Sequence, residues 1–253
     1  LVFVARRHPD TTDDQRSGPK YLNTADTILF HKGAQLHGAT PELLQQGAVP
    51  VLVEGPIDAL AVTLACQGRY VGVAPLGTAL TDEQARQLAT LSTHPSIATD
   101  ADLPGRVAAE RAFWLLAQHG ADPLAVDLPD GADPASVLHA HSPDALVELL
   151  DNASPLGHVL IDERLTNLPA RSTIEGATRV IAARPPSAWP ISMNDAVNRA
   201  GIDLETAAKH FRAAVTEWNR DPARTAASQL GDIAAVRARL EAQHDPSQRW
   251  RVL

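Results

Sequence analysis

The sequence predicts an α/β protein: a mainly parallel sheet followed by an all-α C-terminal helical region. Three observations carry this. Between Val49 and Asp151 short apolar runs alternate with helical periods, as in a sheet built from strand–helix units. Beyond Asn152 the alternation stops and only helical periods remain. Hydrophobic residues make up 44% of the 253 and aromatic residues only 4%, so Leu, Val, Ile and Ala are expected to build a packed core.

The elements follow in order. LVFVARR opens the chain as a strand, a polar loop HPDTTDDQRSGP comes next, and PKYLNTADTILFHKG has no clear period. VPVLVE (49–54) reads as a buried strand, after which Ile57, Leu60, Ala61 and Leu64 fall at helical spacing. YVGVAP (70–75) is a second strand of the sheet. Thr81 is a suitable N-cap for a helix to about Leu91, with Asp82 and Glu83 in its first turn. SIAT (96–99) is a third strand, 105–119 a helix, PLAVDL (123–128) a fourth strand, and 143–151 another helix. NASPLG (152–157) reads as a boundary, with helices at 157–168, 172–183, 193–200, 204–219 and 226–243. In the fourth of these, Leu204, Ala208, Phe211, Val215 and Trp218 form an amphipathic seam. NDAVNRAGIDLETAAKHF resembles a helix–turn–helix, although two packed helices of a bundle is the plainer reading. The organisation expected is 1–48, a remnant of a preceding subdomain, 49–151, the α/β domain, and 155–253, a helical domain.

Charge is unevenly spread. The net charge is −8, which argues against a non-specific nucleic-acid binder. Between Thr99 and Asp151 ten acids stand against two arginines, whereas the first forty residues carry five Lys/Arg and four Asp. Cys66 is the only cysteine, so no internal disulfide and no multi-cysteine zinc site is available. No apolar run reaches the length of a membrane span, and a cytoplasmic protein is expected. The opening Leu1 in place of Met suggests a piece of a longer protein.

Three predicted strands end in acid: VLV runs into Glu54, IAT into Asp100 and Asp102, and AVDL carries Asp127 and leads to Asp130 and Asp133. In open α/β sheets ligands bind beyond the carboxyl ends of strands. Acids gathered there repel one another unless a cation is present, and Mg²⁺, a hard ion, takes oxygen ligands while keeping several waters. The plainer reading of each acid alone is a solvated loop residue or, for Asp102, the cap of the helix that follows.

Five stretches in order then carry a resemblance: PKYLNTADTILFHKG (19–33), VLVEGPIDALA (51–61), LGTALT (76–81), DADLPGRVAAERA (100–112) and LPDGADPASVL (128–138). Together they resemble the Toprim catalytic core of bacterial DnaG-type primases, a Rossmann-like α/β domain. The resemblance implies synthesis of RNA primers on single-stranded DNA from NTPs, by metal-dependent nucleotidyl transfer with Mg²⁺ or Mn²⁺, two ions in all. It implies Glu54, Asp100 and Asp102 as catalytic residues and Glu54, Asp58, Asp100, Asp102, Asp130 and Asp133 as the metal set. It places Arg6, Arg7, Lys20, Tyr21, Asn23 and Lys32 on the template side, and gives Asp127 no sure counterpart. Pro56 stands where the family has a bulky residue, and Ala101 where it has Gly between the two acids. The zinc module and most of the subdomain before Toprim are not represented, and the helical tail does not obviously match a helicase-binding domain, though a helicase or other replication protein is a partner the resemblance suggests. A Toprim nuclease and a non-catalytic template-binding or helicase-binding module are the alternatives. A strand-passing enzyme would need a nucleophilic tyrosine, and neither Tyr21 nor Tyr70 looks placed for it.

Overall fold

The structure, a computed structural model, describes residues 4–6, 21–23, 25–28, 30–77, 79–167 and 170–243. β1 (Val4–Arg6) and β2 (Tyr21–Asn23) form a small antiparallel pair of their own. The main sheet contains β3 (Leu36–His37), β4 (Val49–Leu52), β5 (Tyr70–Pro75), β6 (Ser96–Ile97), β7 (Leu124–Ala125) and β8 (Ser154–Pro155). Their order is β3-β5-β4-β6-β7-β8. The four inner strands are parallel, and β3 and β8 close the edges antiparallel. The sheet is therefore mixed and mostly parallel, and NASPLG contributes its last strand.

Helices cover both faces. α2 (Pro56–Cys66), α5 (Pro134–Ala140) and α6 (Pro143–Asp151) lie on one, with Val51, Val53, Val62, Leu146 and Leu150 in their shared core. α3 (Asp82–Leu91) and α4 (Leu103–Ala117) lie on the other, over Leu52, Val73 and Ile97. Val51 and Val53 face one layer and Leu52 the other, as alternation along a strand requires. A short helix, α1 (Pro41–Gln45), precedes β4. α2 packs hard against β5: a Cβ on Gly72 would stand 2.2 Å from the Ala59 carbonyl oxygen. Thr81 caps α3 as expected, in a reciprocal box with Gln84.

α7 (Leu156–Asn167), α8 (Ala170–Ala183), α9 (Trp189–Ala200), α10 (Leu204–Arg220) and α11 (Pro222–Gln243) make the helical region. Their buried residues Leu160, Ile174, Ile181, Ala196, Ala207 and Ala226 join the same core as Leu52 and Trp114. Five of the ten aromatic residues gather at this junction. Phe113 and Trp114 meet edge-on at 5.2 Å, Trp218 of α10 reaches Trp114 at 6.1 Å, and Trp189 meets Phe211 at 5.3 Å.

Two faces differ from the sequence expectation. On α2, Ile57, Leu60 and Leu64 are 40%, 58% and 77% exposed, because the small residues Ala59, Val62 and Ala65 are the ones that allow close approach to the sheet. On α10, Phe211 and Trp218 of the expected seam pack into the core beside Ala207 and Ala214, whereas Leu204 at its start is 68% exposed. α9 and α10 are joined through Gly201 in the left-handed conformation and the N-cap Asp203. Both rest on α8, as bundle helices do.

A buried ion pair joins the sheet to the bundle. Asp122, just before β7, accepts from Arg184 Nε and Nη2 at 3.1 and 2.9 Å, and Arg184 Nη1 donates to Ser192 Oγ at 2.9 Å. Both charged side chains are almost wholly enclosed, at 3% and 8% exposure. Removing one partner strands the other charge, so Asp122→Ala is expected to lower unfolding free energy by about 3–5 kcal/mol. The paired change Asp122→Leu with Arg184→Met should recover most of that in chemical denaturation.

Candidate active site

β5 and β6 flank β4 on opposite sides, and the chain passes from α2 on one face to α3 and α4 on the other. That reversal opens a crevice at the carboxyl end of β4, where ligands bind in sheets of this kind. The acids expected from sequence stand around it.

Glu54 follows Val53 at the end of β4, and its Oε1 accepts the backbone N–H of Asp100 at 3.1 Å. Asp100 comes from the end of β6, so one side chain ties two adjacent strands. Asp102 N–H donates to the Asp100 carbonyl at 2.8 Å, folding the acidic pair tightly. Gly105 makes this possible, since a Cβ there would stand 1.9 Å from the Asp100 carbonyl oxygen. The loop after β7 is drawn in by the main chain: Ala101 N–H donates to Ala132 O, and Gly131 N–H to Ala101 O, both at 3.0 Å. Gly131, at φ 71°, supplies the left-handed turn. Asp130 thereby joins the edge that carries Asp100, and both line one cleft of about 460 Å³ with Asp127.

The electrostatics agree with crowding of like charge. The Glu54 carboxyl is pushed above its ordinary range, first by partial burial and then by Asp100, Asp102 and Asp58, while the Asp100 N–H pulls it back. The remaining acids also have structural work. Asp102 Oδ1 accepts from Gly105 N–H at 2.7 Å and caps α4, the plainer reading weighed above. Asp133 caps α5 in a reciprocal box with Ser136. Asp58, 5% exposed in α2, accepts from Ala135 N–H at 3.3 Å and so anchors α5 as well. With carboxylates turned to backbone donors in this way, no group of three or more His, Cys, Asp or Glu among the described residues is arranged to hold a metal ion.

Of the residues expected to face a template, Lys32 is exposed on a 3-10 turn, Lys32–Ala34. α3 grips that turn: Gln84 Nε2 donates to Lys32 O and Gln35 O at 3.1 and 2.7 Å, and Thr81 Oγ1 donates to Gly33 O. Arg6, Tyr21 and Asn23 lie in the β1–β2 pair, with Arg6 opposite Tyr21. Arg7 and Lys20 lie outside the described residues.

Sequence reasoning missed Glu163, on α7, which faces the same cleft as Arg106 of α4. Its pKa is raised by partial burial and by Glu110, against the pull of Arg164 and Arg106. Other reactive groups are quiet. Burial pushes the Cys66 thiol up to about 11. Burial and a bond to Asp151 push the Tyr70 hydroxyl up to about 12, which suits no nucleophile. No helix among the described residues is long and apolar enough to cross a membrane.

Fold and site together define a Toprim-like domain, and residues 51–138 match the family model of that description. The chain is 34% identical over 153 residues to a DNA primase of Clostridium acetobutylicum, an alignment covering 60% of this chain and 25% of that protein. A DNA primase domain from Pseudomonas aeruginosa superposes with TM-score 0.67 at 27% identity, covering 83% of this chain and 67% of that one. A DnaG primase catalytic domain bound to single-stranded DNA superposes with TM-score 0.62 at 28% identity, covering 74% and 62%. The chain contains a Toprim-like domain at residues 51–138, is similar over a longer stretch to catalytic domains of DnaG-type DNA primases, and spans about a quarter of the length of the Clostridium relative.

Because the folded state raises the Glu54 pKa, its ionisation opposes folding as pH rises from the ordinary glutamate value through the raised one. Glu54→Gln keeps an acceptor for Asp100 N–H and is expected to stabilise metal-free protein, by at most about 1 kcal/mol of unfolding free energy after solvent screening. The gap should be small near pH 4 and widen toward pH 7.5 in thermal unfolding. Gly105→Ala is expected to cost about 1–3 kcal/mol by forcing the Asp100 loop away from α4.

Proposed function

We propose that the chain is part of a primase catalytic core that makes RNA primers on single-stranded DNA by metal-dependent nucleotidyl transfer. The observation that carries the reading is the convergence of Glu54, Asp100 and Asp102 at the crevice beside β4, with Glu54 bonded to the Asp100 main chain. It is supported by the relatives named primase and by the related catalytic domain solved with single-stranded DNA.

The donor set suits hydrated Mg²⁺ or Mn²⁺. It offers only hard oxygens and repels itself when bare, the chemistry that such ions take, although no preformed cluster of three or more ligands stands among the described residues. Glu54, Asp100 and Asp102 would hold two such ions, with Asp130 across the paired loop, while Asp58 and Asp133 steady α5. Such ions, when bound, would supply positive charge for a triphosphate and would lower the pKa of the attacking hydroxyl. The chain's own part is positioning: Glu54 fixes the Asp100 loop, and the Ala101–Gly131–Ala132 bonds fix the loop opposite. Lys32, with Arg6, Arg7, Lys20, Tyr21 and Asn23, would face the template, the cations meeting phosphates and Tyr21 stacking on a base. The proposed organisation is 1–48 on the template side, 49–151 as the catalytic domain and 155–253 as a helical domain offering a surface to a helicase or other replication protein, in the cytoplasm.

Asp100→Asn and Asp102→Asn are expected to abolish Mg²⁺-dependent extension of NTPs on single-stranded template, with far-ultraviolet circular dichroism unchanged, since Asn at 102 still caps α4. Full synthesis by either variant would remove these acids from the chemistry, and shortening of an end-labelled template would mark a nuclease instead. Lys32→Ala should weaken template binding and reduce its salt slope by about 1.

A further inference from the structure

A groove lies between α10 and α11, with a volume of about 810 Å³ and no residue in common with the acidic crevice. Arg212, Thr216 and Arg220 recur every four residues on α10 and so share one face, along about 12 Å of the helix axis. Arg224 and Ser228, also four apart, line the facing wall from α11. The three arginines are exposed, and none makes a side-chain hydrogen bond or ion pair among the described residues. Exposed arginines elsewhere, Arg69, Arg86 and Arg199, each pair with a carboxylate. Two acids also line the groove. Asp221 turns to the main chain, its Oδ1 accepting from Arg224 N–H at 2.9 Å at the start of α11. Glu217 stands one turn from Arg220 yet forms no ion pair with it. Three arginines against two acids leave an excess of one positive charge there, in a chain of net charge −8.

We propose that this groove grips the phosphate backbone of single-stranded nucleic acid, apart from the residues proposed above to face the template. The inference does not depend on the nucleotidyl-transfer reading, because it uses none of the acids at the crevice. A guanidinium presents a planar fork of donors that meets two phosphate oxygens at once. Hydroxyls such as those of Thr216 and Ser228 add single bonds to the same kind of oxygen. Donors repeated along both walls suit a ligand whose anions repeat along its length. A protein partner would need a pocket for an aromatic or aliphatic anchor, and Ala213 is the one apolar residue lining this groove. No aromatic side chain lines it either, so bases have nothing to stack on and the contact is indifferent to sequence. Glu217 opposes the incoming phosphates and holds the affinity down. The helical region thereby takes part in holding the strand.

Fluorescence anisotropy of a labelled oligo(dT) titrated with the chain in EDTA tests this, free of any metal-bridged contact. Arg212→Gln, Arg220→Gln and Arg224→Gln combined should weaken binding about tenfold and lower the salt slope by about 2. Glu217→Gln should tighten binding about twofold. An abasic strand should show the same loss in the triple variant, because the bases are not read. All four side chains are exposed, and circular dichroism verifies the fold of the variants. A salt slope unchanged in the triple variant, a loss absent from the abasic strand, or a wild-type chain that binds no oligonucleotide overturns the proposal. Polyglutamate that displaces oligo(dT) from the wild type and loses its hold in the triple variant would assign the groove to acidic proteins, and overturns it as well. A slope change as expected, in a chain that makes no primers with Mg²⁺ and NTPs, would support the groove and count against the nucleotidyl-transfer reading alone.

Discussion

Holding several carboxylates at one point against their mutual repulsion is the constraint on which this structure depends. The repulsion shows in the raised pKa of Glu54. The main chain opposes it. Glu54 is bonded to the Asp100 amide, Ala101 pairs on both its groups with the loop at 129–132, and Gly105 lets α4 start directly beneath the Asp100 carbonyl. Each of these contacts draws on a backbone group, so the acidic loops are positioned by the main chain. The site is pre-shaped, and the crowding of like charge around Glu54 is the kind of environment that a cation relieves.

The helical region shares in this arrangement. One apolar core runs from the sheet through α4 into α7, α8, α9, α10 and α11, and five aromatic side chains lie along the join. The Asp122–Arg184 pair fixes the register of that join, because a buried charge tolerates only its partner's position. Gly157 lets Arg184 lie flat, since a Cβ there would stand 2.5 Å from its Cδ. α7 leaves β8 directly and so sets the far wall of the cleft that opens toward the acids.

Much of this was legible in the chain. The Thr81 cap, the strand–helix alternation and the acids at strand ends are local patterns, and local chemistry decides them. The five ordered blocks added the family. Other features depend on what folding brings together. Ile57, Leu60 and Leu64 match a helical period, yet close approach to Gly72 selected the small face of α2. Asp58 and Asp133 match metal-binding positions by motif; the Asp133 cap on α5 is a local bond to Ser136, whereas the Asp58 bond to Ala135 depends on tertiary placement. Glu163 sits in LGHVLIDERLTN, an unremarkable helical stretch, and only the packing of α7 against α4 turns it to the cleft. Asp122 and Arg184 are sixty-two positions apart, beyond any periodicity.

The short antiparallel strands at the two sheet edges have a consequence for solubility. β3 and β8 are two residues each, and β8 ends in Pro155, which has no N–H to offer. An arriving strand from another molecule finds too little unpaired backbone to zip against on either flank. The parallel, apolar interior is thereby shielded from edge-to-edge polymerisation, even at the high concentrations where exposed parallel sheets aggregate.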